Sequence, residues 1–238
     1  MNISIIVPTR KRPAAVTELV ESIVNTADDF SKIEILFYID PDDVQSERRI
    51  LELVSTHGSN IKYTSSRETL NLSQMWNYAY DKLNTSDIIM LCGDDIRFRT
   101  RSWDTMVRNE FIQVDDNILL VYGDDKYHGI KHATHSFVHK RWVEASGFWL
   151  PPYFCADYVD TWLFEVATQI GRIKYLPTVV TEHMHYTFGK SAFDETSQRK
   201  SAAANREHPA HIYNIKHNER CDHADKLLQY IKNCQQAQ

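Results

Sequence analysis

Four short apolar runs, each closed by a polar loop and separated from the next by an amphipathic stretch, constrain this chain more than any other feature. ISIIV (3–7) reads as a buried strand ended by Pro8, and residues 14–25 read as a helix carrying Val16, Leu19, Val20 and Ile23. IEILFYI (33–39) is the second run, followed by a helix over 43–55 with Val44, Ile50, Leu51 and Val54. IKYTS (61–65) is the third, and residues 70–83 place Leu72, Met75, Trp76, Ala79 and Leu83 on one helical face. DIIML (87–91) is the fourth. Strand and helix alternating at this spacing imply an α/β fold with a mainly parallel sheet covered by helices on both faces.

In such sheets ligands bind beyond the carboxyl ends of the strands. The loops that collect there are Pro8-Thr9-Arg10-Lys11-Arg12, Asp40-Pro41-Asp42-Asp43 and Gly93-Asp94-Asp95. One basic and two acidic loops at one edge suit a phosphate together with a divalent cation. Gly-Asp-Asp also serves a plain turn, and Asp42 or Asp43 could cap the helix that follows.

The second half is less regular. NILLVYG (117–123) reads as a strand, HATHSFVH (132–139) as an edge strand, 157–170 as a helix and KYLPTVVTEHMHY (174–186) as extended chain. Residues 190–238 read as a loop and then one or two helices lying on the main body, with a frayed QQAQ end. On the 157–170 helix, Asp157 and Asp160 lie opposite the stripe of Val159, Trp162, Leu163, Val166 and Ile170, so either could act as a general base or be solvated, with Asp157 as a cap. His183 and His185 share a side at strand spacing and are candidate metal ligands. The aromatics of GFWLPPYF (147–154) could stack on a sugar or a base, or simply pack.

The four cysteines have no C-x-x-C spacing, which removes the usual zinc pattern, and Cys92 reads as a core residue. The apolar run before Pro8 is too short for a signal or membrane segment, so a cytoplasmic protein without membrane insertion is expected. The net charge of −5 argues against a generic nucleic-acid binder.

The order of these pieces resembles a known family. IIVPTRKRP, FYIDPDD and IIMLCGDD are similar to the first strand and loop, the base-facing second strand and the Asp-x-Asp metal strand of family 2 glycosyltransferases of the GT-A fold. KRWVEASGFWLPPYF, DYVDTWLFEVATQIGRIKYLP and EHMHYTFGKSAFDET resemble the acceptor half of a branch common in phage-encoded members. The resemblance covers about residues 1–200 and implies a GT-A (Rossmann-like) domain over 1–190, with a nucleotide-binding half (1–100) and an acceptor half (101–190). Residues 191–238 then form a helical extension.

The function implied is metal-assisted transfer of a hexosyl or pentosyl group, with inversion, from a nucleotide-diphospho-sugar to a hydroxyl. A UDP-sugar is the expected donor, Mn²⁺ or Mg²⁺ the expected cation. The rival readings are a sugar nucleotidyltransferase and a non-catalytic sugar-nucleotide or glycan-binding module. Carried over by position, Pro8, Thr9, Arg12 and Asp94 would meet the nucleotide and its diphosphate, Asp40 the base, and Arg67 and Asn77 the nucleotide more loosely. Asp94 and Asp95, with His183 or His185, would hold the metal, and Asp160 or Asp157 would be the base, Asp160 preferred.

Three departures bear on this. Cys92 stands where the first aspartate of the metal motif is usual, Asn71-Leu72-Ser73 replaces an Asn-x-Gly, and Asp-Tyr-Val-Asp replaces a Glu-Asp pair. The acceptor is open among a glycan, a protein and a modified DNA base. For the last, Arg97, Arg99, Arg101 and Arg108 would be the phosphate contacts, in the host cytoplasm if the chain is phage-encoded.

Overall fold

A computed structural model describes residues 1–236, so Ala237 and Gln238, the end of the QQAQ tail expected to fray, lie outside the described residues. The four runs form β1 (Ile3–Thr9), β2 (Ile33–Ile39), β3 (Ile61–Thr64) and β4 (Ile88–Leu91). Between them lie α1 (Pro13–Thr26), α2 (Val44–His57) and α3 (Leu72–Leu83). These four strands pair in parallel in the order β3-β2-β1-β4.

β1, β2 and β4 are largely apolar on both sides because each side has its own helical layer, whereas β3, at the sheet edge, carries Lys62 and Thr64. Ile3, Ile5, Val7, Ile35, Phe37, Ile88 and Met90 pack with Val16, Leu19, Ile23 and Ile50 of α1 and α2. Ile6, Leu36, Tyr38, Ile89 and Leu91 face the opposite layer, with Trp76 and Ala79 of α3. Pro8 is tolerated in a central strand because the ladder to β4 ends at Ile6, so no bond on that side is lost.

The rest of the chain completes the sheet. It adds β5 (Ile96–Phe98), α4 (Trp103–Ile112), β6 (Leu120–Asp124), β7 (Ser136–His139), α5 (Lys140–Ser146), α6 (Val159–Gln169) and β8 (Ile173–His183). The strand order is β3-β2-β1-β4-β7-β6-β8-β5, with β7 antiparallel to β4 and β6, and β5 antiparallel to β8. β7 is therefore internal, not the edge strand its weak alternation suggested; Ser136 and His139 are buried polar residues that break the apolar pattern.

Three helices end the described chain: α7 (Glu195–Glu207), α8 (Pro209–Ile215) and α9 (His217–Gln236). Ala224, Leu227 and Ile231 of α9 are buried in the α3–α5–α6 layer. Cys92 is wholly buried and all four cysteines are free. Among the described residues no helix is long and apolar enough to cross a membrane.

Candidate active site

The carboxyl ends of β1, β2, β4 and β8 meet at one edge. From β1, Thr9 Oγ1 donates to Asp94 Oδ2 at 2.8 Å, and from the following loop Arg12 Nη1 donates to Asp94 Oδ1 at 3.0 Å. Both Asp94 oxygens are thus engaged by the protein. Burial raises the Asp94 carboxyl to about 6, and the Asp95 charge adds to this, against the pull of Arg12 and Thr9.

Asp95 points elsewhere. Its Oδ2 lies 3.3 Å from His183 Nε2, and its carbonyl accepts from Met184 N at 2.7 Å, which ties the end of β4 to the end of β8. Burial would raise this carboxyl, but the hydrogen bond and charge of His183 outweigh it and the net shift is downward. Gly93 makes room for the arrangement: a Cβ there would meet Asp95 Oδ1 at 2.7 Å.

His183 Nδ1 and His135 Nε2 are buried without hydrogen-bond partners, and their rings are 4.9 Å apart. Burial, with His183 adding to it, lowers the His135 imidazole to about 3, so it stays neutral. His185 turns away, with Nδ1 2.8 Å from Thr187 Oγ1.

These residues fit a divalent cation as a pair. Asp95 Oδ2 and His183 Nε2 stand at about the separation of neighbouring ligands around one ion with bonds of ~2.1 Å. Among the described residues no group of three or more His, Cys, Asp or Glu side chains is assembled to hold an ion. The remaining ligands would be diphosphate oxygens and water, as magnesium-type ions commonly take them. Of the four expected ligands, Asp95 and His183 come together, Asp94 is spent on Thr9 and Arg12, and His185 stands beside the pair.

Asp40, at the end of β2, accepts from Arg10 Nη1 at 2.8 Å and Arg199 Nη1 at 2.6 Å. It opens on a cavity of about 290 Å³ lined also by Pro41, Ser66, Arg67 and Leu70. Arg67 is therefore at the edge expected of it. Asn77 is not: its amide donates to Leu150 O at 2.8 Å and accepts from Leu150 N at 3.2 Å, which fixes the loop after α5. Asp43 caps α2 by accepting from Ser46 N.

The two candidate bases differ from the helical picture. α6 starts at Val159, with Tyr158 as its N-cap in the left-handed region (φ 77°), so Asp157 precedes the helix and caps nothing. Asp160 is in the first turn, where a carboxylate also favours the helix dipole. It faces inward, with Oδ2 3.0 Å from His132 Nε2. Burial would raise its carboxyl, and the His132 hydrogen bond and charge override this to a net lowering. Asp157 is 62% exposed and pairs with Lys200 at 2.9 Å.

Other expectations are corrected. Of the 147–154 aromatics, Trp149 and Phe154 are buried core residues, while Phe148, packed on His223, and Tyr153, bound to Glu219 and covered by Lys216, are half-buried. Of the four arginines named as phosphate contacts, Arg97 is buried against Glu18 and Arg108 is held by Asp104, while Arg99, paired with Glu182, and Arg101 are exposed.

Sequence reading missed His132, His135, Asp194, Arg199 and Lys200. The two histidines sat in a segment read only for its strand alternation. The other three lie in a polar stretch without apolar periodicity.

A mixed sheet of this order, with acidic and basic loops at the carboxyl ends of its strands, is the GT-A arrangement of nucleotide-sugar glycosyltransferases. Residues 4–171 match the family Glycosyl transferase family 2, and the chain belongs to it. Structural likeness agrees on the fold. Staphylococcus (S. aureus) TarS 1-349 in complex with UDP-GlcNAc is 14% identical, with a TM-score of 0.58 over 76% of this chain and 57% of that one. The mannosyltransferase PcManGT from Pyrobaculum calidifontis, in complex with GDP-Man and Mn²⁺, is 14% identical, with a TM-score of 0.62 over 99% of this chain and 74% of that one. The chain spans 59% of the TarS 1-349 chain solved with UDP. No curated protein sequence matches it.

Proposed function

We propose that this protein moves a sugar from a nucleoside-diphosphate sugar, a UDP-sugar first among them, to an acceptor hydroxyl with inversion. The observation that carries the reading is the meeting of Arg12, Asp40, Asp95 and His183 at one sheet edge, with the Asp160 carboxylate close by. Family membership and the UDP, UDP-GlcNAc and GDP-Man held by the structural neighbours support it.

In this reading Asp40, Arg67 and the cavity between them take the nucleoside, with Pro8 and Thr9 next to it at the paired end of β1. Arg12 faces the diphosphate from the β1 loop. Asp95 and His183 would hold Mn²⁺ or Mg²⁺, which when bound neutralises charge on the diphosphate. Asp160, ionised and oriented by His132, removes the proton from the acceptor hydroxyl. The hydroxyl attacks the anomeric carbon from the side opposite the diphosphate, and a single displacement inverts the configuration. Asp157 is the weaker candidate base because solvent and Lys200 already satisfy it.

The division of labour gives residues 1–100 the donor and 101–190 the acceptor, a glycan or protein hydroxyl. The test is a thermal-shift panel of UDP- and GDP-sugars with and without Mn²⁺. One or more donors should raise the melting temperature in the presence of Mn²⁺. A flat panel would remove the reading.

A further inference from the structure

The helix α7 lies beyond the residues matched by the family, yet it is docked on the donor edge at five points. Asp194, its N-cap, accepts from Arg12 Nε at 2.7 Å and Nη2 at 2.8 Å, and Ser197 Oγ accepts from Arg12 Nη2 at 2.9 Å. Glu195 pairs with Lys11, Thr196 donates to Arg10 O, and Arg199 reaches Asp40. Lys200 reaches Asp157. Asp194, Ser197 and Lys200 follow one another at a spacing of three, so one face of the helix runs from Arg12 towards the candidate bases.

Most cations at this edge are already held. Arg12 is shared by Asp94, Asp194 and Ser197, Arg10 by Asp40 and Asp42, and Arg199 by Asp40. Arg67 lies in the wall of the nucleoside cavity. Lys200 is held by one carboxylate, Asp157, which is 62% exposed, so the pair is weak and easily exchanged, as is the Lys11–Glu195 pair at the start of α7. What sets Lys200 apart is its place on the α7 face that leads from Arg12 to Asp157. Burial would lower its amine, but Asp157, Asp95 and Asp160 together hold it above its ordinary value.

We propose that Lys200 binds the sugar-side phosphate of the donor and meets the negative charge that grows on it during transfer. This rests on the glycosyl-transfer reading above. The bond from the acceptor oxygen to the anomeric carbon forms as the bond from that carbon to the phosphate oxygen breaks. The electron pair stays on the phosphate oxygen, and the acceptor proton passes to Asp160. Lys200 gives up no proton; it exchanges Asp157 for the phosphate.

The test is calorimetry on the full chain with Mn²⁺, using UDP and UMP, with GDP and GMP in parallel. The variants are Lys200→Met, Lys200→Gln, Lys200→Arg and, as a distant charge control, Lys32→Met. Removing one charge-assisted contact should weaken diphosphate binding by about 10–100-fold. Monophosphate binding should change by less than about threefold, because the sugar-side phosphate is the one UMP lacks. Lys200→Arg should recover most of the loss, and Lys32→Met should bind as wild type does. Lys200→Gln gives the same answer if the methionine variant fails to fold. Unchanged diphosphate binding in both neutral variants overturns the proposal and leaves the transfer reading standing. Equal losses for mono- and diphosphate, or no recovery with arginine, assign Lys200 a structural role and also overturn it. A wild-type chain that binds neither diphosphate overturns the transfer reading, and the proposal with it.

Discussion

His132 Nε2 lies 3.0 Å from Asp160 Oδ2, and this contact joins the loop before β7 to the first turn of α6. The imidazole orients the carboxylate and keeps it ionised; burial would lower the imidazole, but the same contact with Asp160 raises it. A carboxylate held in this way is ionised at neutral pH, the state that the proposed general base needs.

We expect Asp160→Asn to lower kcat by about 10²–10⁴-fold with donor affinity unchanged, the scale for loss of a general base. Asp157→Asn should cost less than about tenfold. Because the Asp160 carboxyl is lowered, the acid limb of the rate profile should lie below the ordinary carboxylate range. Steady-state kinetics with a donor from the thermal-shift panel checks all three.

The metal response should separate two adjacent aspartates. Asp95→Asn and His183→Ala should each weaken Mn²⁺-dependent UDP binding by about tenfold or more, the cost of losing a ligand or its support. Asp94→Asn should keep the Mn²⁺ response and weaken binding through Arg12, whose contact with Asp94 it alters. Titrating Mn²⁺ at fixed UDP distinguishes the two patterns.

Gly93→Ala offers a gentler test of the same pair. The added Cβ would stand 2.7 Å from Asp95 Oδ1, so the carboxylate must shift from His183. The backbone of Gly93 is not left-handed, so the melting temperature should change little while Mn²⁺-dependent binding falls. Equal binding in the variant would show that the Asp95 position is not critical.

Much of this was legible in the sequence because β1, β2 and β4 are largely apolar on both faces, and their ends could be read directly. Asp40 and Asp95 were placed at the edge for that reason, and His183 by its strand spacing with His185 in the extended 174–186 segment. Asp94 was read as a metal ligand alongside Asp95 because it fills the motif position; Thr9 and Arg12 are contacts that only the tertiary structure brings to it. The start of α6 was misplaced because Asp157 looks like a cap, whereas left-handed Tyr158 holds that position. β7 was illegible as an internal strand since Ser136 and His139 interrupt its apolar pattern. The α7 contacts with the donor edge join residues more than 150 positions apart, such as Arg199 and Asp40, and leave no local signature.

The docking of α7 should depend on acid. The Arg12 hydrogen bond lowers the Asp194 carboxyl from 3.8 to about 2. A depressed carboxyl contributes stability above its unfolded value and loses it as pH falls through the folded one. At neutral pH Asp194→Asn should cost about 1 kcal/mol, a modest figure because the group is 38% exposed. The difference from wild type should shrink below pH 3.8 and vanish near about 2, measured by thermal melting across that range.

The central claim is that the carboxyl edge of this sheet binds a nucleoside diphosphate through a divalent cation. Calorimetry of UDP and GDP on the full chain, with Mn²⁺ and again with EDTA, tests it most directly. One nucleotide should bind with a Kd of about 1 μM to 1 mM with Mn²⁺ and about tenfold or more weakly with EDTA. Binding of neither nucleotide in Mn²⁺, or the same affinity with EDTA, would contradict it.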